Sequence, residues 1–161
     1  MSKEIIVLIS VWVLTIIGLL IWIPKDRLRE AYLIFYFKQF MTWILGLIVV
    51  QCGWIEYPVR EFAKASHTSF SFEYFIYPAI CVIFNLHYPY HKGILPRMCW
   101  FIFFPSWMTI VEVLIEKYTD LIKYNEWKWY WTWISLYITF YFSMMFYRWF
   151  FNIKVNTSLT E

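Results

Sequence analysis

Two runs of nineteen residues without a charged side chain constrain this chain most: "IIVLISVWVLTIIGLLIWI" (Ile5–Ile23) and "WYWTWISLYITFYFSMMFY" (Trp129–Tyr147). A helix rises about 1.5 Å per residue, so each run matches a hydrocarbon core of about 30 Å. The rest of the chain offers little polar cover for them. Of its 161 residues, 61% are hydrophobic, 25% aromatic and only 16% charged. A soluble domain is about half apolar and about a quarter charged. A chain this short has too much surface for its volume to bury that excess in one core. Lipid is the natural solvent for it.

The same reasoning extends to five spans, at about 5–23, 31–52, 70–88, 94–115 and 129–150. Pro24 and the charged "KDRLRE" end the first. The second is interrupted by Lys38 and Gln39. The third and fourth contain Pro78 and Pro105, which membrane helices tolerate as kinks. The expected fold is all-α: one domain over 1–161, a bundle of five transmembrane helices. A short interfacial helix is expected between spans two and three. Pro58 suits its first turn. Val59, Phe62 and Ala63 fall on one side, with Arg60, Glu61 and Lys64 elsewhere. "WIPKDRLREA" lacks a small-residue cleavage site, so span one reads as a retained helix. Trp54, Tyr57, Trp127, Trp129, Tyr130, Trp131 and Trp133 read as an aromatic belt at the headgroups, or else as a stacking platform for a sugar or quinone. Lys25, Arg27 and Arg29 follow span one against Lys3 before it. The positive-inside rule then places the amino terminus outside and the carboxyl terminus in the cytoplasm.

Five spans put the 2–3 and 4–5 connections on one side, whichever side that is. Glu73 enters span three there, and Glu112 leaves span four there. Arg60, Lys64 and His67 come from one connection; Glu116, Lys117, Asp120 and Lys123 come from the other. Glu73 lies among phenylalanines and tyrosines in "SFSFEYFIYP". A charge facing lipid costs several kcal/mol. It should therefore turn into the bundle or pair with Arg60, Lys64 or Lys117. Ser69 and Ser71 can cap its helix end. Thr109, Glu112, Glu116, Asp120 and Lys123 follow steps of three and four, one face of a continuous helix. That stripe reads as a solvated face or as oxygen ligands for a hard cation. Lys38 is expected to snorkel to the headgroups, or to meet an acceptor such as Asn85 inside the bundle. Thr42 and Gly46 form a small-xxx-small pair that permits close helix approach.

Other chemistry is poorly represented. Cys52, Cys81 and Cys99 lack metal-ligand spacing and read as buried free thiols. His87 and His91 are separated by Pro89, which disfavours helical metal geometry. There is no phosphate loop, metalloprotease motif or serine nucleophile motif. The net charge of +3 includes no dense basic cluster of the kind nucleic acid requires. No catalytic residue, metal site or cofactor is assigned. The expected partners are the bilayer and a protein subunit or second copy.

"YPVREFAKASHTSFSFEYFIYPAICVIFNLHYP" and "EKYTDLIKYNEWKWYWTWI" resemble a functionally uncharacterised family of small multi-spanning membrane proteins from endospore-forming bacteria. The likeness runs from about Lys25 to Trp149. It implies a bacterial plasma-membrane protein and carries over no catalytic residue. Three functions follow as expectations. The first is an accessory or interaction subunit. The second is a small transporter or channel-like protein using Glu73, Glu112 and Glu116 with Arg60 or Lys64. The third is a lipid-headgroup-modifying enzyme, with Arg60 and Lys64 on a phosphate and Glu73 or Glu112 as base.

Overall fold

The computed structural model describes residues 3–153, which are mostly helical with almost no strand. In chain order the elements are α1 (Lys3–Trp22), α2 (Leu28–Gln51), β1 (Ile55–Glu56), a π-helical segment (Phe70–Ile76), α3 (Tyr77–Leu86), α4 (Ile94–Tyr118), β2 (Lys123–Tyr124) and α5 (Trp129–Phe150). A 3₁₀ turn over Lys25–Arg27 leads into α2. Three stretches are long and apolar enough to cross a membrane: α1, Lys25–Gln51 and α4. Phe70–Leu86 is apolar but shorter. α5 has the length, at 22 residues, but its Tyr, Trp, Ser and Thr side chains dilute its hydropathy.

α3 is the central element, buried from Cys81 to Leu86. Phe84 is its hub. Phe101, Phe104 and Phe140 meet its ring at steep angles, with centroids 5.4, 5.4 and 4.9 Å away. Such edge-to-face contacts add about 0.5–1.5 kcal/mol each to the burial. α1 lies outermost. Its Trp12 stacks on Phe75 at 4.2 Å and donates to the Ser71 hydroxyl at 2.6 Å. Cys81 is buried as expected, whereas Cys52 and Cys99 are exposed on the outer surface.

The two ends of the bundle differ. At one end β1 pairs antiparallel with β2, Ile55 opposite Tyr124 and Glu56 opposite Lys123. The 2–3 and 4–5 connections thus form one ribbon, and Lys3 reaches the Tyr118 carbonyl at the same end. At the other end Arg27 bonds Glu30 at 2.7 Å, the Leu86 carbonyl at 2.8 Å and the Tyr147 hydroxyl at 2.6 Å.

Two local expectations fail. No interfacial helix forms over residues 58–68; that stretch holds only turns. The Arg60 guanidinium instead gathers the carbonyls of Tyr57, Ala63 and Ser66, which curls the chain around it. The acidic stripe also breaks. α4 ends at Tyr118, Thr119 is extended, and its hydroxyl caps the Ile115 carbonyl at 2.6 Å. Asp120 therefore leaves the stripe, its backbone carbonyl accepting from the Val59 amide, while Lys123 joins the ribbon.

The π-helical segment has a cause in the sequence. Proline lacks an N–H, so Pro78 leaves the Tyr74 carbonyl without its helical donor. Gln39 of α2 supplies one, its amide reaching that carbonyl at 2.8 Å. One turn on, the Thr42 hydroxyl reaches the Glu73 carbonyl at 2.6 Å. The Tyr77 amide closes the wide turn on Phe72. A buried carbonyl left unbonded costs about 1–3 kcal/mol. Gln39→Leu should therefore destabilise the protein by about that much. Adding Pro78→Ala should recover most of it, because the restored amide can serve Tyr74. Thermal unfolding in detergent of both variants checks this; a loss unrelieved by the second substitution contradicts it.

Candidate functional site

Beneath the ribbon, α2, the π-helical segment, α4 and α5 line a partly open cavity of about 120 Å³. Its polar lining includes Thr42, Tyr57, Glu73, Tyr77, Glu112 and Thr132. Two of the predicted site residues, Glu73 and Glu112, thus come together inside the bundle. The other three do not. Glu116 is half-buried one turn beyond Glu112 and outside the lining, Lys64 is exposed, and Arg60 is committed to its own loop.

The two carboxylates are treated differently. Glu112 is saturated. Its Oε1 accepts from Tyr124 at 2.6 Å and Thr132 at 2.8 Å, and its Oε2 accepts from Tyr77 at 2.5 Å. Trp127 donates its indole N–H to Thr132 at 2.8 Å, which ties the ribbon to the same knot. Glu73, only 4% exposed, is less fully bonded. Its Oε1 accepts from Tyr57 at 2.9 Å, while its Oε2 has no hydrogen-bond partner. The Thr68 hydroxyl, 2.9 Å from that of Ser66, also acts on this carboxylate. No described lysine or arginine lies within ion-pair distance of Glu73, so the expected pairing with Arg60, Lys64 or Lys117 is replaced by a phenol.

Gly46 makes room for this carboxylate. A Cβ built there would fall inside the Glu73 carboxyl group. The small-xxx-small pair of α2 therefore serves an acid, with Thr42 holding the backbone of Glu73 and Gly46 leaving space for its side chain. Burial, then the Glu73 charge, pushes the Tyr57 phenol well above its ordinary value; burial, then Glu112, does the same to Tyr124. Both phenols thus remain protonated donors through the neutral range.

Lys38 lies one turn before Thr42 on α2 and is fully buried, so it does not snorkel. Its ammonium donates to Thr139 at 2.5 Å, not to Asn85, and sits 4.5 Å from the centre of the Phe140 ring. Thr139 also lines the cavity. Below it Ser143 bonds Cys81 and Asn85, each at 3.2 Å. Lys38→Met should leave stability unchanged or raise it, because a buried cation with one neutral acceptor gains little against its desolvation. Thr139 keeps a bond to the Leu136 carbonyl at 3.1 Å. A fall of more than about 2 kcal/mol on chemical unfolding would show that the ammonium contributes directly.

Three features escaped the sequence reading. Tyr57, assigned to the aromatic belt, is buried against Glu73. Tyr77 and Tyr124 were not assigned a role. Thr132, Thr139, Ser143 and Tyr147 of α5 form a buried polar seam. Their steps of seven, four and four were the available signal. No family model, curated protein or solved structure matches the chain.

Proposed function

We propose that the chain is a five-span bundle in a bacterial plasma membrane, with its amino terminus outside, its carboxyl terminus in the cytoplasm and its carboxylate cavity toward the outer face. Its function is that of a small transporter or channel-like protein, with Glu73 as the group that engages the solute or ion. The observation that carries this reading is the unbonded Glu73 Oε2, buried against Gly46 in a cavity. Leaving a buried acceptor unmade is costly, and a buried carboxylate is costlier still unless it gains a partner or a proton. A ligand with a positive charge and a donor meets both needs. An accessory subunit requires neither a cavity nor an unbonded acceptor. A headgroup-modifying enzyme is expected to use Arg60 and Lys64 together on a phosphate; Arg60 spends its donors on its own loop, and Lys64 lies outside the cavity lining that holds Glu73 and Glu112.

The test is flux in proteoliposomes, followed with an internal pH dye and a potential-sensitive dye. Glu73→Gln should reduce the flux at least tenfold with the fold intact, and Glu116→Gln should leave it unchanged. Equal flux in wild type and Glu73→Gln contradicts the reading.

A further inference from the structure

Resting on that reading of the cavity, we infer that its ligand is a small organic ammonium ion, a primary alkylamine in its protonated form.

Charge comes first. The buried interior around the cavity holds two carboxylates, Glu73 and Glu112, and one amine, Lys38. Glu112 already has three donors, whereas Glu73 Oε2 has none, so an additional donor belongs at Glu73.

The donor set then separates classes of cation. A hard metal ion takes about six to eight oxygen ligands. The lining mixes apolar side chains (Leu45, Val49, Ile55, Leu136 and Trp127) with Glu73, Glu112 and several hydroxyls. Among the described residues no three His, Cys, Asp or Glu side chains gather, and Glu112 is already saturated, so the carboxylates a hard metal ion needs are lacking. An ammonium group has three donors, and the Glu73 carboxylate and the hydroxyl oxygens of Ser135 and Thr139 line the same cavity. The alkyl part fits the aliphatic wall, and the indole of Trp127 offers an aromatic face to a cation.

Size completes the argument. The cavity measures about 120 Å³. An apolar cavity of about 150 Å³ accepts benzene, so this one holds roughly two to six heavy atoms. Gly46 sets the limit on one side, because any side chain there would occupy the carboxylate's place.

The experiment titrates the purified full-length protein with ethylammonium, following tryptophan fluorescence and thermal stability. Ethanol, Na⁺ and Ca²⁺ are the comparison probes. The inference expects saturable binding of ethylammonium, at least tenfold tighter than of the other three. Glu73→Gln should weaken it at least tenfold, and Glu116→Gln should not. If Glu73→Gln fails to fold, Ser135→Leu serves instead: it fills the cavity from α5, keeps Glu73 as the acid and should abolish binding. No saturable response, an equal response to ethanol, or a preference for Na⁺ or Ca²⁺ overturns the inference. Proton flux that depends on Glu73 but is indifferent to ethylammonium overturns the inference alone and leaves the transport reading standing. Ethylammonium binding without any Glu73-dependent flux removes the transport reading and leaves the site.

Discussion

Glu112→Ala is expected to lower stability by about 4 kcal/mol or more, the largest effect of any single truncation in the bundle. The carboxylate accepts three hydroxyl hydrogen bonds, from α3 (Tyr77), β2 (Tyr124) and α5 (Thr132). Bonds to a charged group contribute about 1.5–3 kcal/mol each, and the truncation leaves the Tyr77 hydroxyl with no acceptor and Tyr124 and Thr132 with only each other. The ribbon should loosen with it. Trp127 is held by Thr132, and Trp127 also stacks against Trp54 across the two connections, with ring centroids 6.0 Å apart. For a chain of this size 1 kcal/mol moves the midpoint by about 2–4 °C. Near-ultraviolet circular dichroism on heating should therefore show a drop of about 10 °C. Glu112→Gln, which keeps an acceptor oxygen, should cost less than half as much. Equal losses for both variants would mean that the side chain's volume, not its acceptors, holds the knot.

The second large effect is at Gly46. Gly46→Ala places a methyl group where the Glu73 carboxyl sits. Overpacking of a fitted site costs about 1–3 kcal/mol, and expelling the carboxyl also breaks the Tyr57 bond. Gly46→Ala is therefore expected to destabilise the protein by about 2–4 kcal/mol and to remove the site. The diagnostic is the double variant. Glu73→Ala in the Gly46→Ala background should restore stability, because truncating the acid gives the methyl its space. Glu73→Gln in that background should not, because glutamine is as large as glutamate. Additive losses in the Ala/Ala pair would contradict the packing, since residues in direct contact couple strongly.

Much of the architecture could be read in the chain because its causes are local. A charge-free run of nineteen residues favours a long helix, and a chain of successive antiparallel helical segments brings the 2–3 and 4–5 connections to one end. Those connections do meet, as a β-ribbon, and that topology put Glu73 and Glu112 together. The phenol partners could not be read the same way. Tyr57 stands beside a connection rich in aromatics, and nothing in its neighbours distinguishes a belt residue from one turned inward. Pro58 and Arg60 suggested a helix because helical spacing ignores a guanidinium folding back onto carbonyls. Lys38 misled in the opposite direction. A long stem near a helix end usually reaches water, but a hydroxyl on α5, 101 residues away, accepts its proton inside the bundle. The π-helical segment could have been anticipated from Pro78, yet its stability depends on Gln39 and Thr42 of another helix.

The central claim is that the bundle's interior beside Glu73 is a wet, ligand-accessible cavity while the outer faces of the helices meet lipid. Adjacent positions at matched depth on α5 test it. Ser135 lines the cavity, whereas Ile134 is exposed on the outer surface. A thiol reacts as its thiolate, which forms in water and not among acyl chains. In a background lacking Cys52, Cys81 and Cys99, reconstituted in lipid, each position is changed to cysteine and treated with aminoethyl methanethiosulfonate, a small ammonium reagent. The account predicts rapid modification of Ser135→Cys, slowed by ethylammonium, and none of Ile134→Cys. Modification of Ile134→Cys with Ser135→Cys inert would contradict it.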